Sequence, residues 1–236
     1  MDLLSFTPAE LAALVLSLKV ALCCTLVICV PGIFIAWLLA KKSFLGKSLL
    51  DGLVHMPLVL PPVVPGFLLL LLLGNQGLIG KYLHEHWGIT IAFTWFGAVI
   101  ASCVMAFPLM VRATRQAISH VDSKLETAAL SLGAHPLRVF FTVTLPLALP
   151  GVLTGLILAF SRSLGEFGAT ITFVGNIEGE TRTLPLAIYT YTQVPSGDTS
   201  AMRLVILSMM LALAALMLSE FLECKAREKQ GRGLND

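Results

Sequence analysis

Apolar residues run in long blocks along this chain, separated by short polar stretches. Five blocks are long enough to cross a bilayer, which takes about 20 residues of helix. They cover residues 11–40, 50–74, 89–111, 147–175 and 202–222. The pattern predicts an all-α integral membrane protein with five transmembrane helices, forming one domain over residues 1–236. The first block exceeds a single crossing, so its early part is expected to lie along the outer surface, with Lys19 reaching the interface. That segment is expected to stay in the mature protein. No basic residue precedes Lys19, and no small-residue cleavage site follows a short apolar core.

Composition agrees. Hydrophobic residues make up 56% of the 236 and charged residues 13%, with a mean hydropathy of +0.86. A soluble domain carries roughly 25% charged residues, so this chain could not cover a water-exposed surface. It is too apolar for disorder. A net charge of +2, with no basic run interleaved with aromatics, excludes nucleic acid as a partner. Cys23, Cys24, Cys29 and Cys103 lie in apolar runs, and no CxxC pair includes them or Cys224. They read as small hydrophobes rather than a metal or redox site.

The placement of the cations sets the orientation. Eleven of the sixteen Lys and Arg fall in alternate connections. Lys41, Lys42 and Lys47 follow the first block, Arg112, Arg115, Lys124 and Arg138 the third, and Lys225, Arg227, Lys229 and Arg232 the last. The positive-inside rule then expects the N-terminus outside and the C-terminus in the cytoplasm. Lys81 and Arg182, with Arg203 at the edge, belong to the outer side, where residues 75–88 and 176–201 read as loops. His84 and His86 in the first of these read as solvated loop residues rather than a metal site.

The inner connection from Arg112 to Pro146 carries the most local information. Ser123-Lys124-Leu125-Glu126 reads as a capping box, with Ser123 as the cap and Glu126 reaching back to the cap N–H. A short helix to about Leu132 follows, ended by Gly133 in a left-handed conformation. Pro136 opens a second helix that stops at Leu145-Pro146. The first helix is too short to be stable alone. It either packs on its own membrane helices or docks into a groove on a soluble partner.

Two membrane segments are polar or broken. Arg162 and Glu166 sit four residues apart in the fourth block, on one helix face. They are either a structural pair or part of a polar strip along a transport path. Pro57, Pro61, Pro62 and Pro65 interrupt the second block. Irregular backbone at that depth is expected to face the bundle interior, as a gate or path lining or as a packed kink.

Catalytic and nucleotide motifs are missing. Gly46-Lys47-Ser48 has Lys41 where a phosphate loop needs glycine, and Gly80-Lys81 is followed by Tyr82. The five histidines are scattered, and neither GxSxG nor HExxH occurs. The chain reads as a non-enzyme with no catalytic residue, metal or bound cofactor of its own. Any energised work draws on another chain.

At this point the residues resemble a known family. Gly133, nine further residues, then Val143-Thr144-Leu145-Pro146 resembles the cytoplasmic signature of ABC importer permeases: EAA, three residues, Gly, nine residues, Ile-x-Leu-Pro. Ala128 and Ala129 fall on the two alanines, Thr127 on the family's Glu, and Val143 on its Ile; Glu126 lies one place earlier. Residues 55–64, His55 to Val64, resemble the second span of molybdate permease subunits. So do Ser163 to Val174 and Gly179-Glu180-Thr181-Arg182-Thr183.

The resemblance implies an ABC type I importer permease fold and an ATP-driven import of molybdate, with tungstate as co-substrate, across the bacterial inner membrane. It implies a homodimer around one path, two copies of a cytoplasmic ATPase that carries ATP and magnesium, a periplasmic molybdate-binding protein and surrounding lipid. Glu126, Thr127, Ala128, Ala129, Gly133, Val143, Leu145 and Pro146 would couple to the ATPase. Pro61, Pro62, Pro65, Arg162 and Glu166 would line a path or gate. A sulfate or thiosulfate permease is the alternative within this class, disfavoured by the five-span layout. A stand-alone secondary anion transporter is the alternative outside it, disfavoured because no inverted repeat is visible.

Overall fold

A computed structural model describes residues 6–195 and 197–232, with side chains as far as Phe221 except Ser219. Cys224 and the tail cations Lys225, Arg227, Lys229 and Arg232 therefore lie outside the described side chains. Every regular element among the described residues is helical.

The first apolar block is one uninterrupted helix, α1, Pro8–Lys41. Among the described residues no separate surface helix precedes it. Lys19 instead places its ammonium over the Trp95 ring, 3.5 Å from the centroid. The start of α1 lies earlier than hydropathy suggests, because Thr7 and Glu10 form a full capping box and Pro8 opens the first turn. Glu10, Ala13, Ser17, Ala21, Cys24, Ile28, Gly32, Ala36 and Leu39 make its buried stripe, at helical spacing. Its other face exposes Val15, Leu22, Leu26, Val30 and Phe34, which is a lipid-type surface.

The second block splits into α2, Lys47–Val59, and α3, Val63–Leu73, bent by 113°. The break sits at Leu60-Pro61-Pro62, where two successive prolines remove backbone donors. Residues 75–88, expected as a loop, contain the helix α4, Gly80–Trp87. The third block becomes α5, Trp95–Ser119, the most buried of the spans. Its small buried residues (Ala98, Ala101, Ser102 and Ala106) suit close packing of helices, and Gly32 of α1 packs directly on Met110, while Gly97 lies against Phe173 and Val174.

Two short helices follow α5: α6, Ser123–Ser131, and α7, Pro136–Val139. The second does not stop at Leu145-Pro146. It runs through a π turn, Phe140–Thr144, into α8, Leu145–Leu164. The wider turn makes Leu145 N–H donate to the Phe140 carbonyl, and Pro146 sits in the opening turn of α8, where a missing N–H costs little. The fourth block also ends sooner than its hydropathy. α8 stops at Leu164, and a separate helix α9, Gly168–Val174, follows after a break. The outer segment 176–201 holds α10, Leu184–Thr192, and α11, Asp198–Arg232, completes the bundle. Among the described residues four single helices are long and apolar enough to cross a bilayer, and the bent α2–α3 pair, counted as one span, brings the number to five.

Candidate coupling surface and membrane path

The end of the bundle where α1 terminates at Lys41 is built around α6. Asp122, not Ser123, caps it, accepting a hydrogen bond from Lys124 N–H at 2.9 Å. Glu126 does not reach back to the cap. Its Oε2 accepts from Lys41 Nζ at 2.8 Å and its Oε1 from Thr144 Oγ1 at 2.6 Å. Freed from capping by Asp122, the carboxylate instead joins the last residue of α1 to the π turn that opens α8. The far end closes as the glycine pattern predicts. Gly133 has φ +85°, its N–H donates to Leu130 and Ala134 N–H to Ala129, which together satisfy the last carbonyls of the helix.

No residue of α6 is buried. Thr127 and Ala128 are exposed and Ala129 is half-buried. Leu125, Leu130 and Leu132 are exposed at 50%, 45% and 88%. Among the described residues, packing of α6 on its own membrane helices is therefore slight, and the bonds of Glu126 to Lys41 and Thr144 tie it to the core. Val143 and Leu145 are half-buried in the π turn and at the head of α8, and Pro146 is on the surface. These three shape the platform behind α6 rather than the exposed helix itself. Nearby, Arg115 of α5 donates to Asp51 of α2 at 2.7 Å, and His55 stands 3.2 Å from the same carboxylate. These cross-helix partners are not legible in local spacing, because Lys41, Thr144 and Arg115 are remote along the chain from the acids they meet.

At membrane depth, Arg162 and Glu166 do meet, with Arg162 Nη1 2.7 Å from Glu166 Oε2. They do not share a helix face. Arg162 is in the last turn of α8, whereas Glu166 lies in the break beyond it. Gly165 ends α8, and the Glu166 side chain turns inward, 1% exposed, where its Oε1 accepts from Ala169 N–H at 2.8 Å. Glu166 therefore caps α9 while neutralising Arg162. The contact to Arg162 is a charge contact rather than an aligned hydrogen bond, since Oε2 has no hydrogen-bond donor of good geometry.

Of the proline segment, Pro65 and Gly66 are buried and Pro61 and Pro62 are exposed. The expectation that this segment faces the interior holds only for its second half. A methyl group on Gly66 would stand 2.6 Å from the Ala169 carbonyl, and one on Gly168 would stand 2.6 Å from Pro62 Cβ. The two glycines thus let α3 and α9 lie against each other. A cleft of about 460 Å³ beside α8 is lined by Leu158, Ser161, Leu164, Pro185, Leu211 and Leu216, so it is almost wholly apolar. It offers no enclosed anion site.

At the opposite end of the bundle, Glu10 is fully buried and its Oε1 lies 2.8 Å from Arg203 Nη2 of α11. Ser17 Oγ accepts from Leu184 N–H of α10 at 2.6 Å. Arg182 is held by Asn176 and Glu178 at 3.0 and 2.7 Å. His84 and His86 are on α4, and no group of three His, Cys, Asp or Glu able to hold a metal occurs among the described residues.

Comparison with known proteins adds the context. The profile described as "Binding-protein-dependent transport system inner membrane component" matches residues 32–227. The chain is 57% identical over 226 residues to "Molybdenum transport system permease protein ModB" of Escherichia coli (strain K12), covering 96% of this chain and 99% of that one. The protein of the same description from Haemophilus influenzae is 54% identical over 224 residues, covering 95% and 98%. Among solved structures, a bacterial ABC transporter involved in import of the acidic polysaccharide alginate superposes with a TM-score of 0.72 at 17% identity. That match covers 94% of this chain and 80% of that one, and it shows the shared fold.

Proposed function

Starting from the fact that the chain belongs to the family of binding-protein-dependent transport system inner membrane components, we propose that it is the permease subunit of an ATP-driven importer of molybdate. Tungstate, of matching charge and shape, would share the route. The single observation that carries the coupling part is α6: nine residues, none buried, with exposed Leu125 and Leu130 and, at the cap that follows, Leu132, on the side richest in Lys and Arg. Exposed leucines of this kind outside the apolar blocks favour a protein partner. The match to the relatives over nearly the full chain carries the choice of substrate.

In this reading all 236 residues form one permease domain of the inner membrane. The N-terminus is outside and the C-terminus inside. ATP and magnesium stay on a separate ATPase, which takes α6 into a groove, one ATPase copy for each permease copy. Thr127, Ala128, Ala129 and Gly133 present the docking surface, and Val143, Leu145 and Pro146 brace it. A periplasmic binding protein delivers the oxyanion to the outer side, formed by α4, α10 and the start of α11.

Exposed Pro61 and Pro62 support a second copy. Non-helical backbone at membrane depth is tolerated only against protein or water, not lipid. A homodimer with its path along the α2–α3 breaks and α9 meets that requirement, and lipid covers the outer face of α1. Arg162 would lie near this path with its charge already balanced by Glu166. Such a path attracts a divalent oxyanion weakly and lets it leave, while selection rests with the binding protein.

The test is cellular molybdenum, measured by elemental mass spectrometry at trace molybdate, with and without excess sulfate. Loss of molybdenum on deletion, restored by complementation and indifferent to sulfate, is the expected result. Unchanged molybdenum with lowered sulfate uptake would move the substrate to sulfate. Uptake that persists without the ATPase would refute the ATP-driven reading.

A further inference from the structure

We propose that α1 is a rigid rod that carries the movement of the docking helix to the outer face, with the Lys41–Glu126 pair as its inner joint and the Glu10–Arg203 pair as its outer one. The inference rests on the reading above, in which α6 receives the stroke of an ATPase.

Consider first the inner joint. α6 buries no side chain, so apolar packing cannot transmit its displacement. The firm links are those of Glu126, whose two oxygens are taken by two different elements: Lys41 at the end of α1 and Thr144 in the π turn before α8. Their side chains are shielded, Lys41 at 20% and Glu126 at 17% exposure, and Thr144 is buried. A carboxylate held at both oxygens is fixed in direction as well as in position. Moving α6 therefore moves both elements together.

The rod itself comes next. Glu10 and Lys41 lie on one continuous helix, which Pro31 does not interrupt. Its 34 residues span about 51 Å at 1.5 Å per residue, more than the bilayer core. At the outer end Glu10 is tied twice, to Arg203 of α11 at 2.8 Å and, through the capping box, to Thr7 N–H at 2.8 Å. Two turns below, Ser17 holds the first N–H of α10. The outer elements that would face a binding protein are thus linked to the same helix that the docking helix grips. For shielded ion pairs the cost of desolvation offsets much of the attraction, so a charge pair at each end of a single spanning helix is better explained as a joint than as a source of stability. Lys41, Glu126, Glu10 and Arg203 are positioning residues, which act through α1 and touch no substrate.

The experiment uses the full complex of permease, ATPase and binding protein in proteoliposomes. It reads three quantities: co-purification of the ATPase, the ratio of ATP hydrolysis with molybdate-loaded binding protein to hydrolysis without it, and molybdate uptake. Glu126→Gln and Lys41→Met are each expected to lower the ratio about tenfold while the ATPase still co-purifies. The double exchange Lys41→Glu with Glu126→Lys should restore at least half of it. Glu10→Gln should lower the ratio in the same way from the opposite end, and Arg203→Lys should retain it. Full coupling in both inner single variants, or no recovery in the exchange, overturns the inner joint. Loss from the inner variants with normal coupling in Glu10→Gln overturns the rod and leaves a local pin. A wild-type complex that binds no ATPase would instead refute the function proposed above, which keeps the two failures apart.

Discussion

Replacing Gly133 separates backbone conformation from side-chain space at the end of the docking helix. Its φ of +85° lies in the left-handed region, and an added Cβ would meet nothing within 4 Å. The whole cost of substitution is therefore conformational. An ordinary L-residue there costs about 1–2 kcal/mol, whereas Asn adopts this conformation routinely. At about 1.4 kcal/mol per factor of ten, the closed helix end loses roughly 5- to 30-fold in population. Little compensates, because α6 has nine residues and buries none of them. The hydrogen bonds at risk are those from Gly133 to Leu130 and from Ala134 to Ala129.

The assay is the affinity of the purified permease in nanodiscs for its ATPase. Gly133→Ala and Gly133→Leu should weaken it alike, by about tenfold, and Gly133→Asn by no more than about threefold. A loss that grows with side-chain volume, with Asn as harmful as Leu, would refute this reasoning. It would mean that the ATPase packs against the glycine and that backbone strain is secondary.

Three further outcomes follow from the packing. Gly66→Ala drives a methyl group into the Ala169 carbonyl and should cost about 1–3 kcal/mol, seen as a lower Tm in detergent, whereas Gly52→Ala, which meets nothing, should leave Tm level or raise it. An unchanged Tm for Gly66→Ala would remove the close contact of α3 with α9. Ser17→Ala strands a buried N–H of Leu184 at a cost of about 1–3 kcal/mol; Ser17→Thr should keep the bond and the Tm, and equal Tm values for both variants would count against it. Glu166→Gln leaves Arg162 without its counter-charge and should cost about 3 kcal/mol, while Arg162→Met with Glu166→Gln should recover the Tm. Molybdate uptake by that double variant then decides between the two readings of the pair: normal uptake makes it structural, and a stable but inactive protein places it on the path.

What could be read along the chain was local. Five spans, the left-handed Gly133 and the proline break in the second span all follow from neighbours within a few residues. Glu126 shows where such reading stops. Ser123 and Glu126 have capping-box spacing, as Thr7 and Glu10 do, yet only the second pair forms one. Glu10 can cap because its second oxygen suffices for Arg203. At α6 the neighbouring Asp122 takes the cap, and Lys41, 85 residues away, competes for the carboxylate together with Thr144. No spacing rule contains that competition.

Hydropathy fails in a second, different way. It assigns one value to a face whether lipid, a neighbouring helix or a soluble partner covers it. The exposed leucines of α1 and those of α6 look alike as residues. They part only when each is placed against the span boundaries: α1 exposes its leucines within the apolar blocks, where lipid satisfies them, and α6 exposes its own outside them, where water does not. The same placement separates the prolines. Pro31 leaves its helix continuous beside a lipid-type face, but Pro61 and Pro62 are exposed at a break inside an apolar block, and lipid cannot hydrogen-bond to non-helical backbone. The docking proposed for α6 and the second copy proposed at the broken span are therefore two readings of one fact. Single-chain packing leaves polar backbone exposed inside the membrane and apolar side chains exposed outside it.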